Sequence, residues 1–292
     1  MRCVKPFVSG KAAYGCGQCM PCRLTKRRTW THRLMLEKLD HAESSFVTLT
    51  YSPETVPSEG SVVPEHVRDW LKRLRKRVHP RRLRYFIVGE YGDQSYRPHY
   101  HAALFGFPQC SAGYQRFLRG ECPCPACSAV RETWNFGHVM VAPLEMKCAQ
   151  YIAGYCVKKM THRLDIRLGG KHPEFARMSL KPGIGATAMH NVASEMMRYS
   201  LEMRGDVPVT LRHGDRMLPL GRYLRGKLRE MVDSDPSFKE SDQASFEKKL
   251  RILRTFAWQN DRSVSSVFEE INGPYARALE GRERVNYQRG SL

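Results

Sequence analysis

The sequence predicts an α+β fold: an antiparallel β-sheet with helices on one face, cysteine-cluster insertions and a helical C-terminal region. Three observations carry this. Runs rich in β-branched and aromatic residues, FVTLTY (46–51), RYFIVGEY (84–91), PHYHAALFG (98–106) and HVMVAPL (138–144), have the composition of strands. Only GDQSYR separates the second run from the third, so these two read as an antiparallel hairpin. Stretches with helical periodicity alternate with the strands, as packing in layers requires.

Taken in order, residues 22–42 read as a basic helix and 46–51 as a strand, followed by a Pro/Ser/Gly-rich loop at 52–64. In 65–78 the residues Val67, Trp70, Leu71, Leu74 and Val78 fall on one helical face, with basic side chains on the other. The hairpin follows, and the stretch 107–135 reads as an insertion. A strand at 138–144 leads into a helix over 145–160. From 165 to 218 the pattern weakens, and KPGIG marks a turn. Beyond 219, GRYLRGKLREMV and SFEKKLRILRTFAWQN read as helices. The expected division is a first domain over 1–200 and a mainly helical region over 201–292.

The chain has 292 residues, with 48 Lys and Arg against 29 Asp and Glu, a formal net charge of +19. At 41% hydrophobic and 10% aromatic residues it can bury a core, which excludes a disordered chain. No apolar run is long enough for a membrane span, and the N-terminus lacks a signal-peptide stretch, so a soluble intracellular protein is expected. The charge excess points to an anionic partner, nucleic acid before membrane headgroups. It is densest at 68–84, where nine of seventeen residues are Lys or Arg: Arg68, Lys72, Arg73, Arg75, Lys76, Arg77, Arg81, Arg82 and Arg84. This stretch is either a solvated surface or a face for phosphates.

Clustered cysteines in a reducing compartment more often hold metal than form disulfides. Cys16, Cys19 and Cys22 form a C-x2-C-x2-C run that suits structural Zn2+, with Cys3 as a fourth ligand. Cys110, Cys122, Cys124 and Cys127 make a second set of four. Buried thiols or a redox pair are the alternatives for either set, and an iron–sulfur cluster for the first. Cys148 and Cys156 read as packing residues.

His99 and His101 are one residue apart on a strand, which places both imidazoles on the same face. If the hairpin pairs residue 91 with 98, Glu90 lies opposite His99 and Val88 opposite His101. Glu90, His99 and His101 then offer two nitrogens and a carboxylate, a set suited to Mn2+ or Mg2+ acting on phosphate oxygens, though Zn2+ fits as well. Without Glu90, two surface histidines would be the simpler reading. In YIAGYCVKK, the residues Tyr151, Tyr155, Lys158 and Lys159 share one helical face. Phenols beside ammonium groups could be nucleophiles for a phosphodiester, or aromatic packing with snorkelling lysines.

Together these segments resemble the HUH endonucleases. FVTLTY stands for the hydrophobic first motif, His99-Tyr100-His101 for the His-hydrophobe-His motif, with Tyr100 as a semi-polar substitute, and Tyr151 and Tyr155 for the tyrosine helix. GEYG, RPHYHAALFG, the CGQC-x2-C run and KPGIG are similar to the replication initiators of gokushoviruses, in the Microviridae; the resemblance covers about residues 1–190. It implies an HUH, ferredoxin- or RRM-like nicking and joining domain that starts rolling-circle replication of a single-stranded DNA phage. A metal on Glu90, His99 and His101 would polarise the scissile phosphate. Tyr151 or Tyr155 would attack it, leaving a 5′-phosphotyrosine and a free 3′-hydroxyl, with Lys158 and Lys159 neutralising the phosphate. Helix 65–78 would track the backbone, and Trp70 or Tyr85 would stack on bases. The resemblance also implies a host helicase and polymerase as partners and the cytoplasm of the bacterial host as the location. The sequence contains no G-x4-G-K-[ST] phosphate loop. A non-catalytic zinc-stabilised nucleic-acid-binding protein, or an HUH plasmid initiator, relaxase or transposase, are the alternatives.

Overall fold

The computed structural model describes residues 2–10, 12–92, 95–113, 122–155 and 166–288. The elements begin with β1 (Phe7–Ser9), β2 (Ala12–Tyr14), α1 (Met20–Leu39), β3 (Ser44–Thr50) and α2 (Pro64–Arg77). The hairpin β4 (Arg84–Tyr91) and β5 (Pro98–Phe105) follows, then α3 (Pro125–Trp134), β6 (Val139–Pro143), α4 (Met146–Tyr155) and β7 (Phe175–Met178). The remainder is α5 (Met189–Arg198), β8 (Thr210–His213), β9 (Arg216–Pro219), α6 (Gly221–Met231), α7 (Pro236–Gln259) and α8 (Val264–Gln288). Proline at the first turn starts α2, α3 and α7, where a missing N–H costs nothing, and the Asp235 carboxylate caps α7 by accepting the Ser237 N–H at 2.8 Å.

The chain divides into two compact units, residues 30–188 and residues 1–29 with 189–292. The first is built on a five-stranded antiparallel sheet in the order β6-β3-β5-β4-β7. The central strand β5 is the one that carries the two histidines. Alternation along the strands puts Phe46, Thr48, His101, Val88 and Glu90 on one face, here the front, and Val47, Leu49, Tyr100 and Ile87 on the back. On the front, Leu34 and Met35 of α1 and Ala149 and Ile152 of α4 pack against Phe46, Phe86, Val88 and Phe105. On the back, Val67, Trp70, Leu71 and Leu74 of α2 and Val130 and Trp134 of α3 pack against Val47, Leu49, Ile87 and Leu104.

The α+β class, the antiparallel sheet and the helical C-terminal region are as the sequence predicts, but helices cover both faces of the sheet rather than one. The reason is visible in β4 and β5, whose last six residues are all buried. A strand apolar toward both sides needs a cover on both sides. The stretch 107–135 is likewise more than an insertion, since α3 lies within it and delivers Trp134, which is 0% exposed, to the back core. Strand β7, only four residues long, has no legible pattern in the sequence, and the same holds for α3, α5, α8 and the two small hairpins β1-β2 and β8-β9.

The second unit holds those two hairpins, α5 to α8 and the first cysteine set. Among the described residues no helix is long and apolar enough to cross a membrane.

Candidate active site

The hairpin register is the one the six-residue connection implies: Glu90 pairs with His99 and Val88 with His101. Glu90 is 1% exposed and His101 6%, so the carboxylate and one imidazole are buried under α4. Both histidines turn Nε2 toward one oxygen, with Glu90 Oε1 2.8 Å from His99 Nε2 and 3.0 Å from His101 Nε2. The outer nitrogens are also occupied. His99 Nδ1 lies 3.0 Å from the Arg97 carbonyl oxygen, and His101 Nδ1 lies 3.0 Å from Thr48 Oγ1. A carbonyl can only accept, so the His99 proton sits on Nδ1 and the Nε2 lone pair points inward.

A nitrogen lone pair and a carboxylate oxygen at 2.8 Å repel unless a proton or a cation lies between them. The donor set is therefore one that a divalent cation fits, with ligand atoms all within 4.8 Å of one another. The outer hydrogen bonds are those that orient metal-binding imidazoles. Neither Thr48 nor Arg97 is singled out by the sequence motifs. Thr48 carries a usable signal, since it pairs with His101 across β3 and β5 and shares its face.

Helix α4 brings the tyrosines to this group. Tyr151 Oη lies 3.4 Å from His101 Nε2, with the two rings edge to face at 5.0 Å. The Tyr155 ring stacks on His101 at 6.0 Å and meets Tyr151 edge-on at 4.9 Å. Phe46 stacks on the His101 ring at 5.5 Å and holds its plane. The expected face of Tyr151 and Tyr155 thus forms, while Lys158, Lys159 and Cys156 lie outside the described residues.

The cysteines converge as two sets of four. Cys3, Cys16, Cys19 and Cys22 have their sulfurs within 4.8 Å of one another, as do Cys110, Cys122, Cys124 and Cys127, the second set wholly buried. Burial works against the Cys16 thiolate, but the backbone N–H groups of Cys19 and Gln18 point at its sulfur and bring its pKa down to about 7. At Cys124 burial again raises the pKa, and the N–H groups of Cys127 and Ser111 outweigh it, to about 6. Thiolate-stabilising amides around four convergent sulfurs fit a structural Zn2+. Cys148 is half-buried, with its sulfur 3.6 Å from the Pro143 carbonyl oxygen.

The basic residues of 68–84 do not surround this site. Helix α2 lies on the back of the sheet, and Trp70 is 0% exposed, so it cannot stack on a base. Arg84 is half-buried and bonded to Glu37 and to the Pro182 carbonyl oxygen at 2.7 Å. Arg73 donates to the Thr133 carbonyl oxygen at 2.8 Å, whereas Arg77 and Arg81 make ion pairs with Glu132 and Glu43. Arg68, Lys72, Arg75, Lys76 and Arg82 have exposed side chains.

A sheet-borne group of two imidazoles and a carboxylate, faced by a helix with two tyrosines, defines a class of protein in which a metal-ligand set and a hydroxyl nucleophile share one pocket. Residues 44–160, from β3 through α4, match the family model of the ORF2-type replication-associated proteins. The chain is similar to replication-associated protein VP4 of Bdellovibrio phage phiMH2K, 29% identical over 52% of this chain and 50% of that protein. It is also similar to replication-associated protein ORF4 of Chlamydia phage 1, 23% identical over 84% of this chain and 61% of that one. The chain spans about half to three-fifths of the length of these relatives. No solved structure gives a significant match. The resemblance to gokushovirus proteins read from the motifs is thereby borne out.

Proposed function

We propose that this chain is a replication initiator of a small single-stranded DNA phage, which nicks and rejoins origin DNA through its tyrosines, with the chemistry seated in residues 30–188. The observation that carries this reading is Tyr151 Oη, 3.4 Å from His101 Nε2 and therefore beside the Glu90–His99–His101 group. A divalent cation held by those three residues, Mn2+ or Mg2+, supplies Lewis-acid polarisation of the scissile phosphate. The tyrosine oxygen attacks phosphorus and the bond to the 3′-oxygen breaks, so the chain gains a 5′-phosphotyrosine and the DNA a 3′-hydroxyl. The phenol gives up one proton and the 3′-oxygen takes one up. The new ester conserves the energy of the old one, and the reverse attack by a 3′-hydroxyl reseals DNA without ATP.

Two tyrosines within 4.9 Å of each other allow one to hold the DNA end while the other cuts the regenerated origin. Lys158 and Lys159 continue α4's sequence and supply charge to the phosphate in this reading. The two four-cysteine sets hold structural Zn2+, and the exposed cations of 68–84 contact single-stranded DNA. A host helicase and polymerase supply unwinding and synthesis, in the cytoplasm of the bacterial host.

The test is incubation of the purified chain with Mn2+ and a labelled single-stranded origin, followed by a denaturing gel. A covalent adduct is expected, lost in the Tyr151→Phe, Tyr155→Phe double variant. An adduct that persists in the double variant overturns the assignment, and no adduct on a verified origin favours a binding-only protein.

A further inference from the structure

Behind the sheet, between α2 and the β4–β7 edge, lies a cleft of about 360 Å³ that the chemistry at the front does not use. Its lining includes Arg68, Lys72, Arg75, Arg177, Tyr85 and Glu65. Three of the cations come from one exposed side of α2. The fourth, Arg177, comes from the edge strand β7, where it pairs with Ile87 and so shares the back face. Four cations against one carboxylate, drawn from two elements, leave the cleft strongly positive. Asp69 pairs with Arg68 at 2.9 Å and with Lys72 at 3.5 Å, but these are exposed ion pairs of the kind that exchange readily for a phosphate.

The floor is not charged. Leu71 and Val67 line it, and the half-buried ring of Tyr85 lies there with the Arg75 guanidinium 5.3 Å from its centroid. Cations that follow a backbone beside an aromatic ring flanked by a guanidinium are what an unpaired nucleotide needs, since phosphate and base are both met. A duplex keeps its bases stacked inside and would use only the charges. We propose that this cleft is a second binding site for single-stranded DNA, on the face of the sheet opposite the tyrosines. It takes phosphates on Arg68, Lys72 and Arg177 and a base against Tyr85 and Arg75. This rests on the reading of the chain as a DNA-handling protein, and it adds that a segment other than the scissile one is held behind the sheet.

The experiment uses the full chain with Tyr151→Phe and Tyr155→Phe, so that binding is measured without cleavage. A single strand of about 30 nucleotides carrying 5-iodouracil is titrated by fluorescence anisotropy, then photo-crosslinked and mapped by mass spectrometry. A crosslink to the Tyr85 peptide is expected. In a Lys72→Ala, Arg177→Ala variant that crosslink should disappear and affinity should fall about tenfold. The slope of log affinity against log salt should shrink by about 1.4, or about 0.7 for each lost phosphate contact on a single strand. Arg177→Lys should restore most of the affinity, and an unchanged denaturation midpoint shows that the variants are folded. The proposal is overturned by no Tyr85 crosslink at saturation, by a folded double-alanine variant within twofold of the parent, or by a duplex that competes as well as the single strand. Because the probe needs no origin and no cleavage, failure of the nicking reading leaves this result standing, and the reverse also holds.

Discussion

Tyr100 and His101 are neighbours in β5 and face opposite sides of one sheet, and their surroundings differ in kind. On the back, Tyr100 Oη accepts the Val63 N–H at 2.7 Å and lies 2.7 Å from Tyr51 Oη, which in turn lies 2.8 Å from His66 Nδ1. Hydroxyls can donate and accept, so every bond in that chain has its proton. Burial pushes the Tyr100 phenol up to about 12, and burial raises Tyr51 as well, so both stay neutral. On the front, two imidazole nitrogens and a carboxylate oxygen converge, and without a proton or cation between them those contacts are repulsive. The back network is complete in itself and ties α2 to the sheet. The front group calls for a proton or a cation among its atoms, and that is what makes it a site.

The sharpest way to break this contrast is Glu90→Gln. The front group loses its charge while the amide keeps the volume, and the metal-dependent adduct should fall by more than about 100-fold, the upper range for outer-shell partners of metal ligands. Isothermal titration with Mn2+ should show the matching loss of binding. Retained metal affinity would mean that the group is another closed network like the back one.

The reciprocal change, Tyr100→Phe, should leave metal affinity alone and lower stability by about 1–3 kcal/mol, because the Val63 N–H loses its acceptor. Urea denaturation measures this, and a change in Mn2+ binding as large as that of Glu90→Gln would show that the two faces are not independent.

The smallest effect concerns pH. Burial lowers the His66 pKa below its ordinary value of 6.5. As pH falls through about 6.5, the unfolded chain takes up a proton that the folded chain resists, so stability present at pH 7 is lost toward pH 5. His66→Gln should flatten that part of the stability curve, and an equally steep curve would assign the acid sensitivity elsewhere. Glu37, held low against its burial by His41, Arg84 and the Gly185 N–H, acts in the same direction but in the carboxylate range, below about 4.5.

Much of the front site is legible in residue spacing alone. A period of two puts His99 and His101 on one side, a six-residue connection sets Glu90 against His99, and a four-residue spacing stacks Tyr151 over Tyr155. Each of these follows from backbone geometry within a few residues of its partner. Thr48 is not legible in the same way, because its relation to His101 crosses 53 residues, and nothing in FVTLTY distinguishes the threonine that bonds the ring. The expectation for α2 fails in an instructive way. Its amphipathic pattern identifies Val67, Trp70, Leu71 and Leu74, all of them buried, yet the same pattern serves a helix on either side of a sheet.

By itself, then, the sequence determined the α+β class, the strands of the hairpin, the metal-ligand set, the tyrosine face and the membership of both cysteine sets. Tertiary structure alone decided that helices cover both faces, that Trp70 is interior, that Arg84 is paired with Glu37, and that Arg177 joins Lys72 at a cleft behind the sheet. Periodicity and spacing report which side of its own element a residue faces. Which side of the sheet that element covers depends on the path of the connecting chain, and that path is settled by the packing of both apolar faces at once.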